Sequence, residues 1–153
     1  MNVVIREAKA EDLPEIIRIQ KIAFKVQADR YDAYDIPPMV ETEADIDLTS
    51  DKLVVLVAEV NGDIAGSVRV GYGDKDAEIK RLSVKEEFQK RGIGSRLMAA
   101  AEGYCNSLDR IWLFTGGQSF KTINLYKKLG FSVYKEEPWK DNFTLIYLEK
   151  EIL

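Results

Sequence analysis

The spacing of apolar residues along the chain predicts an ordered series of strands and helices. Three runs rich in β-branched residues, at 53–60, 64–72 and 77–84, predict an antiparallel meander, because Asn61-Gly62 between the first two is a strong hairpin signal. The segments 92–108 and 120–129 instead place apolar side chains three and four residues apart. That spacing predicts two amphipathic helices, the second of which ends at Gly130.

The remaining segments complete the predicted order of elements. Short apolar stretches at 3–5, 111–114, 131–134 and 143–148 predict strands, and acids with a proline at 12–15 predict a helix to about residue 27. The pair Pro37-Pro38 blocks a regular helix, so a second, short helix is expected at 41–48. The order β-α-α-β-β-β-α-β-α-β-β predicts an α/β fold with a mixed sheet.

Length and charge narrow the class of protein. The 153 residues contain no internal repeat or linker, so one domain, 1–153, is expected. The formal net charge of −4 argues against a general nucleic-acid binder. No apolar run approaches the roughly 20 residues of a membrane span, and the first residues lack the apolar core of a signal peptide. We therefore expect a cytoplasmic protein that binds neither nucleic acid nor membrane.

Cysteine and histidine usage limits the possible chemistry. Cys105 is the only cysteine, so no internal disulfide can form, and a small core residue is its expected role. The absence of histidine excludes Ser-His and Cys-His nucleophile pairs and histidine-based zinc sites, and no metal is expected. A general base must then be a carboxylate, a tyrosine, a lysine, or a water molecule that one of these holds.

The alternation of apolar residues breaks within the third strand of the meander. Ile79 points to one face, whereas Leu82 and Val84 point to the other if the period is strictly two. A β-bulge between 79 and 82 would place all three on one face and leave backbone groups free to bind an extended, amide-bearing ligand. The alternative is a strand buried on both faces. The pattern alone leaves both interpretations open.

The loop that follows this strand carries two cations and two glycines at the start of a helix. Its sequence is Gln89-Lys90-Arg91-Gly92-Ile93-Gly94. A helix N-terminus offers unpaired N–H groups and a partial positive charge to a phosphate. The spacing fits neither a Walker loop nor a dinucleotide-binding fingerprint. It suits a pyrophosphate that consecutive backbone N–H groups hold.

Two motifs in the sequence resemble signatures of the GNAT superfamily of N-acetyltransferases. Gln89, Gly92 and Gly94 match its acetyl-CoA-binding pattern, Q/R-x-x-G-x-G/A. About thirty residues further on, 125–131 (LYKKLGF) resembles the LYxKxGF signature of the same family. The predicted order of elements is also that of the family, so the resemblance covers nearly the whole chain.

The resemblance implies acetyl-CoA as the cosubstrate. The backbone N–H groups of 91–95 would hold the pyrophosphate, with charge from Lys90 and Arg91, and the backbone of Leu82 and Val84 would hold the thioester carbonyl and the pantetheine arm. A donor at that carbonyl would stabilise the oxyanion. The implied cofactor-binding positions are Leu82, Ser83, Val84, Gln89, Lys90, Arg91, Gly92, Ile93, Gly94, Ser95 and Ser119.

The same resemblance implies two catalytic residues. Tyr126 would protonate the departing thiolate, and Glu78 would remove a proton from the attacking ammonium through a water molecule. The alternative roles are a packed aromatic for Tyr126 and a solvated strand residue for Glu78. The asparagine with which the family often contacts pantetheine is missing, because Thr122 and Ser119 stand at its places. Asn124 lies about 200° around the helix from Tyr126 and faces elsewhere.

The acceptor is expected to be an amine. Phe24, Tyr31 and Tyr34, together with Trp139, are the predicted wall of the acceptor site, and the acids at 29, 32 and 35 suit a small cationic amine. They suit a lysine side chain or a peptide N-terminus equally well. The expected partner is therefore a small-molecule, peptide or protein amine, and a homodimer is allowed. The alternative to an enzyme is a GNAT-fold module that binds CoA without catalysis, but such a module has no need of Tyr126.

Overall fold

Seven strands form one mixed β-sheet in the computed structural model, which describes residues 1–152. The strands are β1 (Val3–Glu7), β2 (Leu53–Val60), β3 (Asp63–Tyr72), β4 (Asp76–Val84), β5 (Arg110–Gly116), β6 (Ser132–Pro138) and β7 (Thr144–Glu151). Their order in the sheet is β1-β2-β3-β4-β5-β7-β6, and only β4 and β5 pair in parallel. The mixed sheet predicted from the sequence is confirmed.

Four α-helices connect these strands: α1 (Leu13–Tyr31), α2 (Pro37–Val40), α3 (Ile93–Gly103) and α4 (Phe120–Lys128). Leu56 and Val57 are neighbours on β2, but they belong to separate apolar clusters, since successive side chains of a strand point to opposite faces. The helix α1 packs against the cluster of Val57, and α3 packs against that of Leu56. None of the described helices is both long enough and apolar enough to span a bilayer.

The segment between α1 and β2 differs from the sequence prediction. The helix expected at 41–48 is wrong: the structure has α2 at Pro37–Val40 and only a 3₁₀ turn at Glu43–Asp45. Pro37 and Pro38 occupy the first helical positions, where the N–H that proline lacks has no intrahelical partner anyway. The prolines therefore start this short helix and do not block it.

A β-bulge interrupts the pairing of β3 with β4. Ser67 pairs with Ser83 and Arg69 with Lys80, so two residues of β4 lie opposite one residue of β3. Arg81 adopts the left-handed conformation, with φ of 60°. The bulge shifts the phase of the strand, so that Leu82 and Val84 pack against the same core cluster as Ile79. Of the two interpretations left open by the sequence, the bulge is confirmed.

The parallel strands β4 and β5 pair over three residues only. The pairs join Asp76 to Arg110, Ala77 to Ile111 and Glu78 to Trp112. Beyond Glu78 the two strands diverge, and β5 pairs with β7 on its other side along its whole length. The divergence opens a wedge in the middle of the sheet, and the bulge lies on one of its edges.

Candidate active site

The wedge between β4 and β5 forms a cleft of about 350 Å³. Both strands, α1, α2, α4 and the connection between β6 and β7 contribute to its walls. The lining side chains used below are Phe24, Tyr31, Pro37, Pro38, Glu78, Lys80, Arg81, Leu82, Phe114, Thr115, Thr122, Tyr126 and Trp139. Among residues 1–152, the charged residues that line the cleft are Glu78, Lys80 and Arg81, and all three come from β4.

Glu78 stands on β4 at the point where the strands begin to separate. Its side chain lines the cleft and is half-buried. Burial raises the pKa of the Glu78 carboxyl, and the charges of Lys80 and Arg81 offset part of that rise. A carboxylate with a raised pKa is a better proton acceptor at neutral pH than one in water. Glu78 is therefore placed and tuned as a general base is.

Tyr126 faces the same cleft from α4. Its side chain is only 8% exposed, and its ring packs against that of Phe131 with centroids 6.1 Å apart. Burial raises the pKa of Tyr126 to about 12. The phenol thus stays protonated across the neutral range, and it can donate a proton or a hydrogen bond to a group in the cleft.

The divergence of β4 from β5 leaves backbone groups of β4 unpaired along one side of the cleft. After Glu78, the edge of β4 that faces β5 has no strand partner. Ser83 and Val84 remain paired with β3 on the other edge, and Leu82 lines the cleft. Unpaired N–H and C=O groups of a strand can bind an extended ligand that carries amides of its own.

The loop after β4 ends in a helix N-terminus with free donors. Gly92 caps α3 in the left-handed conformation, with φ of 79°, which a glycine adopts without strain. The first N–H with a helical partner is that of Arg96, which donates to the Gly92 carbonyl at 3.0 Å. The N–H groups of 93–95 before it are therefore available to an anion. Lys90 and Arg91, both exposed, add positive charge.

Gln89 has a structural role in this loop. Its Nε2 donates to the Val84 carbonyl at 3.0 Å, so its side chain ties the loop back onto the end of β4. A side chain placed on Gly94 would meet only Val84 Cγ2, at 4.0 Å, so folding does not require a glycine there. The open space above Gly94 is the kind of approach that a bound phosphate group needs.

The structure brings Thr122, and not Ser119, to the cleft. Ser119 Oγ is buried, shares a hydrogen bond of 2.9 Å with Tyr31 Oη and accepts one from Arg30 Nη1 at 3.2 Å. Thr122 lies one turn further along α4 and lines the cleft. Asn124 is exposed and lies outside the cleft lining, as its position on the helix predicts.

Tyr31 joins three parts of the cleft wall. Its hydroxyl also accepts a hydrogen bond from the Gln118 N–H at 2.9 Å, and its ring packs against Trp139 with centroids 5.2 Å apart. A Cβ on Gly116 would lie 2.2 Å from atoms of this ring. The glycine is therefore needed for β5 to approach α1, and the Tyr31 hydroxyl is already engaged by protein groups.

The other residues predicted to contact the acceptor separate into two groups. Phe24, Tyr31 and Trp139 line the cleft. Tyr34 is exposed outside it, and its hydroxyl donates to Asp29 at 2.8 Å. The acids at 29, 32 and 35 are likewise absent from the lining. The structure thus brings together the predicted aromatic wall, but neither Tyr34 nor the three acids.

Sequence reasoning missed Lys80, Arg81 and Phe114 among the lining residues. Lys80 lies two residues from Glu78 and so shares its strand face, which the alternation could have revealed. Arg81 reaches the cleft from the bulge, and its partner, Glu41, lies 40 residues away in the sequence. Such a pairing leaves no local pattern in the sequence.

Cys105 is not placed to act as a nucleophile. It is fully buried, its Sγ donates to the Ala101 carbonyl at 3.4 Å, and it is absent from the cleft lining. Burial raises the pKa of its thiol to about 11, so the thiolate is scarce at neutral pH. Its predicted role as a small core residue agrees with this position.

A mixed sheet that parts between two parallel strands, with a helix that begins after the first of them, is typical of the acyl-CoA N-acyltransferase fold. The chain belongs to the acetyltransferase (GNAT) family, whose family model matches residues 13–131. It is therefore an acetyl-CoA-dependent acetyltransferase. Of the enzyme and the non-catalytic module that the sequence left open, the family match supports the enzyme.

The chain is also similar to individual proteins of this kind. It is 27% identical over 146 residues to an N-alpha-acetyltransferase of Sulfurisphaera tokodaii, with 86% of this chain and 81% of the relative covered. A GNAT acetyltransferase from Streptococcus pneumoniae superposes with a TM-score of 0.78 at 20% identity, covering 99% of this chain and all of that one. PaiA N-acetyltransferase from Thermoplasma acidophilum, solved in complex with coenzyme A, gives a TM-score of 0.75 at 20% identity and 99% coverage of both chains.

Proposed function

We propose that the chain transfers the acetyl group of acetyl-CoA directly to a primary amine in the cleft between β4 and β5. Glu78 is the general base in this proposal, and Tyr126 is the general acid. The observation that carries it is their placement: a half-buried carboxylate and a protonated phenol line one cleft, beside unpaired backbone groups of β4. An amine acceptor and an acyl donor both need partners of these kinds.

The residues around the cleft fit acetyl-CoA. The free N–H groups of 93–95, with Lys90 and Arg91 beside them, suit the pyrophosphate. The unpaired edge of β4 at Leu82 suits the pantetheine amides, and Thr122 offers the hydroxyl that Ser119 does not. When bound there, acetyl-CoA supplies the activated acyl carbon.

The chain's own groups would then move two protons. Glu78 takes one from the ammonium, through a water molecule, so that the nitrogen lone pair can attack. Tyr126 donates one to the departing sulfur, and backbone N–H groups at the bulge stabilise negative charge on the carbonyl oxygen. The name of the Sulfurisphaera tokodaii relative indicates α-amines as acceptors of that protein, and this supports an α-amine as the acceptor here.

Glu78→Gln tests the proposed base. Since its pKa is raised, Glu78 becomes protonated and inactive as the pH falls, so the native rate should decline on the acid side. Without this base, the variant can acetylate only those amine molecules that have already lost a proton to the solvent. We expect its rate to be about 10²- to 10⁴-fold lower near neutral pH, with a deficit that shrinks as the pH approaches the pKa of the amine.

The measurement is the rate of CoA release against pH. The acceptor is the best one from a panel of small amines, amino acids, polyamines, aminoglycosides and peptides. Glu11→Gln, at an exposed site outside the cleft, is the matched control. A Glu78→Gln profile that matches the native one in height and shape would remove Glu78 from the mechanism.

A further inference from the structure

We infer that the acceptor is a small amine that also carries an anionic group such as a carboxylate, and that Arg81 binds this group. The inference rests on the proposed function and narrows its substrate class. It starts from the charges of the cleft. Glu78 is the one acid in the lining, and Lys80 and Arg81 are the two bases. A cleft with this balance repels a polycation and attracts an amine that brings its own negative charge.

The terminal nitrogens of Arg81 carry N–H donors that are free to bind a ligand. Its Nε lies 3.3 Å from Glu41 Oε1, and its side chain is 16% exposed. Its terminal nitrogens donate to no residue in the described part of the chain, and they are not among the buried unpaired atoms, which are Ser67 Oγ, Arg69 Nε and Thr115 Oγ1. The planar end of a guanidinium presents two parallel N–H donors, the geometry that a carboxylate accepts.

Glu41 fixes the position of Arg81, but its single negative charge does not balance the positive charges of the two arginines that it contacts. Glu41 Oε1 also accepts from Arg69 Nη1 at 2.8 Å and from Gln20 Nε2 at 2.9 Å. Arg69 is only 3% exposed, so a second guanidinium lies buried directly behind the first. Two arginines share one carboxylate, and the cluster keeps an excess of positive charge. This excess favours an anion on its accessible side.

The ionisation of Glu41 is secure. Burial alone would raise the pKa of Glu41, but the hydrogen bond from Gln20 and the charge of Arg69 outweigh it, and the pKa lies below its usual value. Glu41 is thus ionised at neutral pH, and its three donors all contact Oε1. These contacts fix the position of Arg81.

The acids that the sequence offered for a cationic acceptor are engaged elsewhere or face away. Asp29 pairs with Lys25 at 3.0 Å and accepts from Tyr34, and neither Asp32 nor Asp35 lines the cleft. Tyr31, Trp139 and the two prolines of α2 line the cleft of about 350 Å³. It must hold the acyl end of the donor as well, so the acceptor is small.

The reaction balances without a further reactant. The amine nitrogen of the acceptor forms a bond to the acyl carbon, and the bond between that carbon and the CoA sulfur breaks. Glu78 receives the proton that the ammonium loses, and the sulfur leaves with a proton from Tyr126. The anionic group takes no part in these steps. Its contact with Arg81 positions the amine beside Glu78.

The test compares α-amino acids with their α-amides, which lack the anionic group, and adds 1,4-diaminobutane as a dication. We expect the best acceptor to be an amino acid, with kcat/KM at least tenfold above that of its amide. Arg81→Asn, which keeps a residue tolerant of the left-handed backbone, should lower kcat/KM for the amino acid about 10- to 100-fold, since it removes a bidentate charged contact. The amide should change less than about threefold, as expected of a residue that binds only the anion.

Two further variants complete the comparison. Arg81→Lys keeps the charge without the bidentate geometry and should show an intermediate loss. Arg18→Asn, at an exposed position of α1 outside the cleft, should leave both acceptors unchanged. CoA affinity, measured by calorimetry, should be native in every variant and reports that each has folded.

Each contrary result has a distinct meaning. Equal or better transfer to amides or to 1,4-diaminobutane would overturn this inference and leave the proposed function intact. An equal loss for amino acid and amide in Arg81→Asn would also overturn it, because Arg81 would then act through the fold. If CoA binds and no amine is acetylated, the proposed function fails, and the inference falls with it.

Discussion

In the proposed mechanism, one physical cause sets the opposite roles of Glu78 and Tyr126. Burial raises the pKa of both groups. For Glu78, a higher pKa makes the carboxylate a stronger base while it stays ionised above that value. For Tyr126, a pKa of about 12 keeps the phenol protonated across the neutral range. A single partly dry cleft can therefore hold the base and the acid in their working forms at the same pH.

Replacing Tyr126 by Phe should separate catalysis from binding. The substitution removes the proton donor but keeps the ring that packs against Phe131. We expect the turnover rate to fall about 10²-fold or more, with a CoA dissociation constant within about threefold of the native value. Single-turnover kinetics and calorimetry on the same sample provide the two numbers.

Unchanged turnover in Tyr126→Phe would remove the residue from the chemistry. The unfolding free energy serves as the control. The hydroxyl donates to no side chain or backbone group within residues 1–152, so its loss should cost less than about 1 kcal/mol.

The sequence could reveal some of the site residues but not others, for a physical reason. Gly92 and Tyr126 belong to short motifs, because a helix cap and a helix face are set by neighbours in the chain. Arg81 carries no such signal, because it depends on a contact with Glu41. The motif left Ser119 and Thr122 as alternatives, and only the structure shows that Tyr31 occupies the Ser119 hydroxyl while Thr122 lines the cleft. These assignments come from side chains that are distant in sequence.

At the scale of single elements, local patterns predicted only part of β4 and α3. The broken alternation of β4 allowed either a bulge or a strand buried on both faces, and the register shift opposite Ser67 confirms the bulge. The helix expected over 92–108 ends earlier, at Gly103. The glycine that caps α3 has the positive φ that its place in the loop requires. The short helix after α1 was predicted in the wrong place. A proline in the interior of a helix ends it, whereas a proline in the first turn can begin one, as Pro37 and Pro38 do here.

The first turn of α3 can be tested by a change that affects folding and binding in opposite directions. Gly94→Glu places a carboxylate at the positive end of the helix, in space where only Val84 Cγ2 lies within reach of the new Cβ. It should leave the free energy of unfolding unchanged or raise it by about 0.3–1 kcal/mol. It should also weaken CoA binding at least tenfold relative to Gly94→Gln, which has the same shape without the charge.

Chemical denaturation and calorimetry on the Gly94→Glu and Gly94→Gln pair provide both values. Equal CoA affinity in the two variants would place the pyrophosphate elsewhere. A large loss of stability in both variants would show that folding itself requires a glycine at this position, against the open space seen beside it.

At the scale of the whole molecule, the cleft results from where the pairing of neighbouring strands in the sheet ends. The parallel pairing of β4 with β5 ends after Glu78 and Trp112, and β5 continues beside β7. The sequence predicted the strands, their order along the chain and a mixed sheet. It could not predict how far β4 and β5 stay paired, because that depends on α1, α4 and Tyr31 packing into the gap together.

The same architecture predicts that both substrates bind at once. The proposed CoA contacts lie along the unpaired edge of β4 and at the start of α3, whereas the proposed acceptor contacts, Arg81 and the aromatic residues of α1, line the cleft. A covalent acetyl-enzyme lacks an evident carrier, since the single cysteine is buried outside the cleft and the sequence has no histidine. Direct transfer within a ternary complex is the reaction that this arrangement favours.

Initial-rate kinetics with both substrates varied test this account most directly. The rate of formation of the acetylated amine is measured across a grid of acetyl-CoA and acceptor concentrations. For direct transfer in one cleft, double-reciprocal plots should give intersecting lines, and the protein incubated with acetyl-CoA alone should gain no acetyl mass. Parallel lines, together with an acetylated protein in the absence of acceptor, would contradict the account.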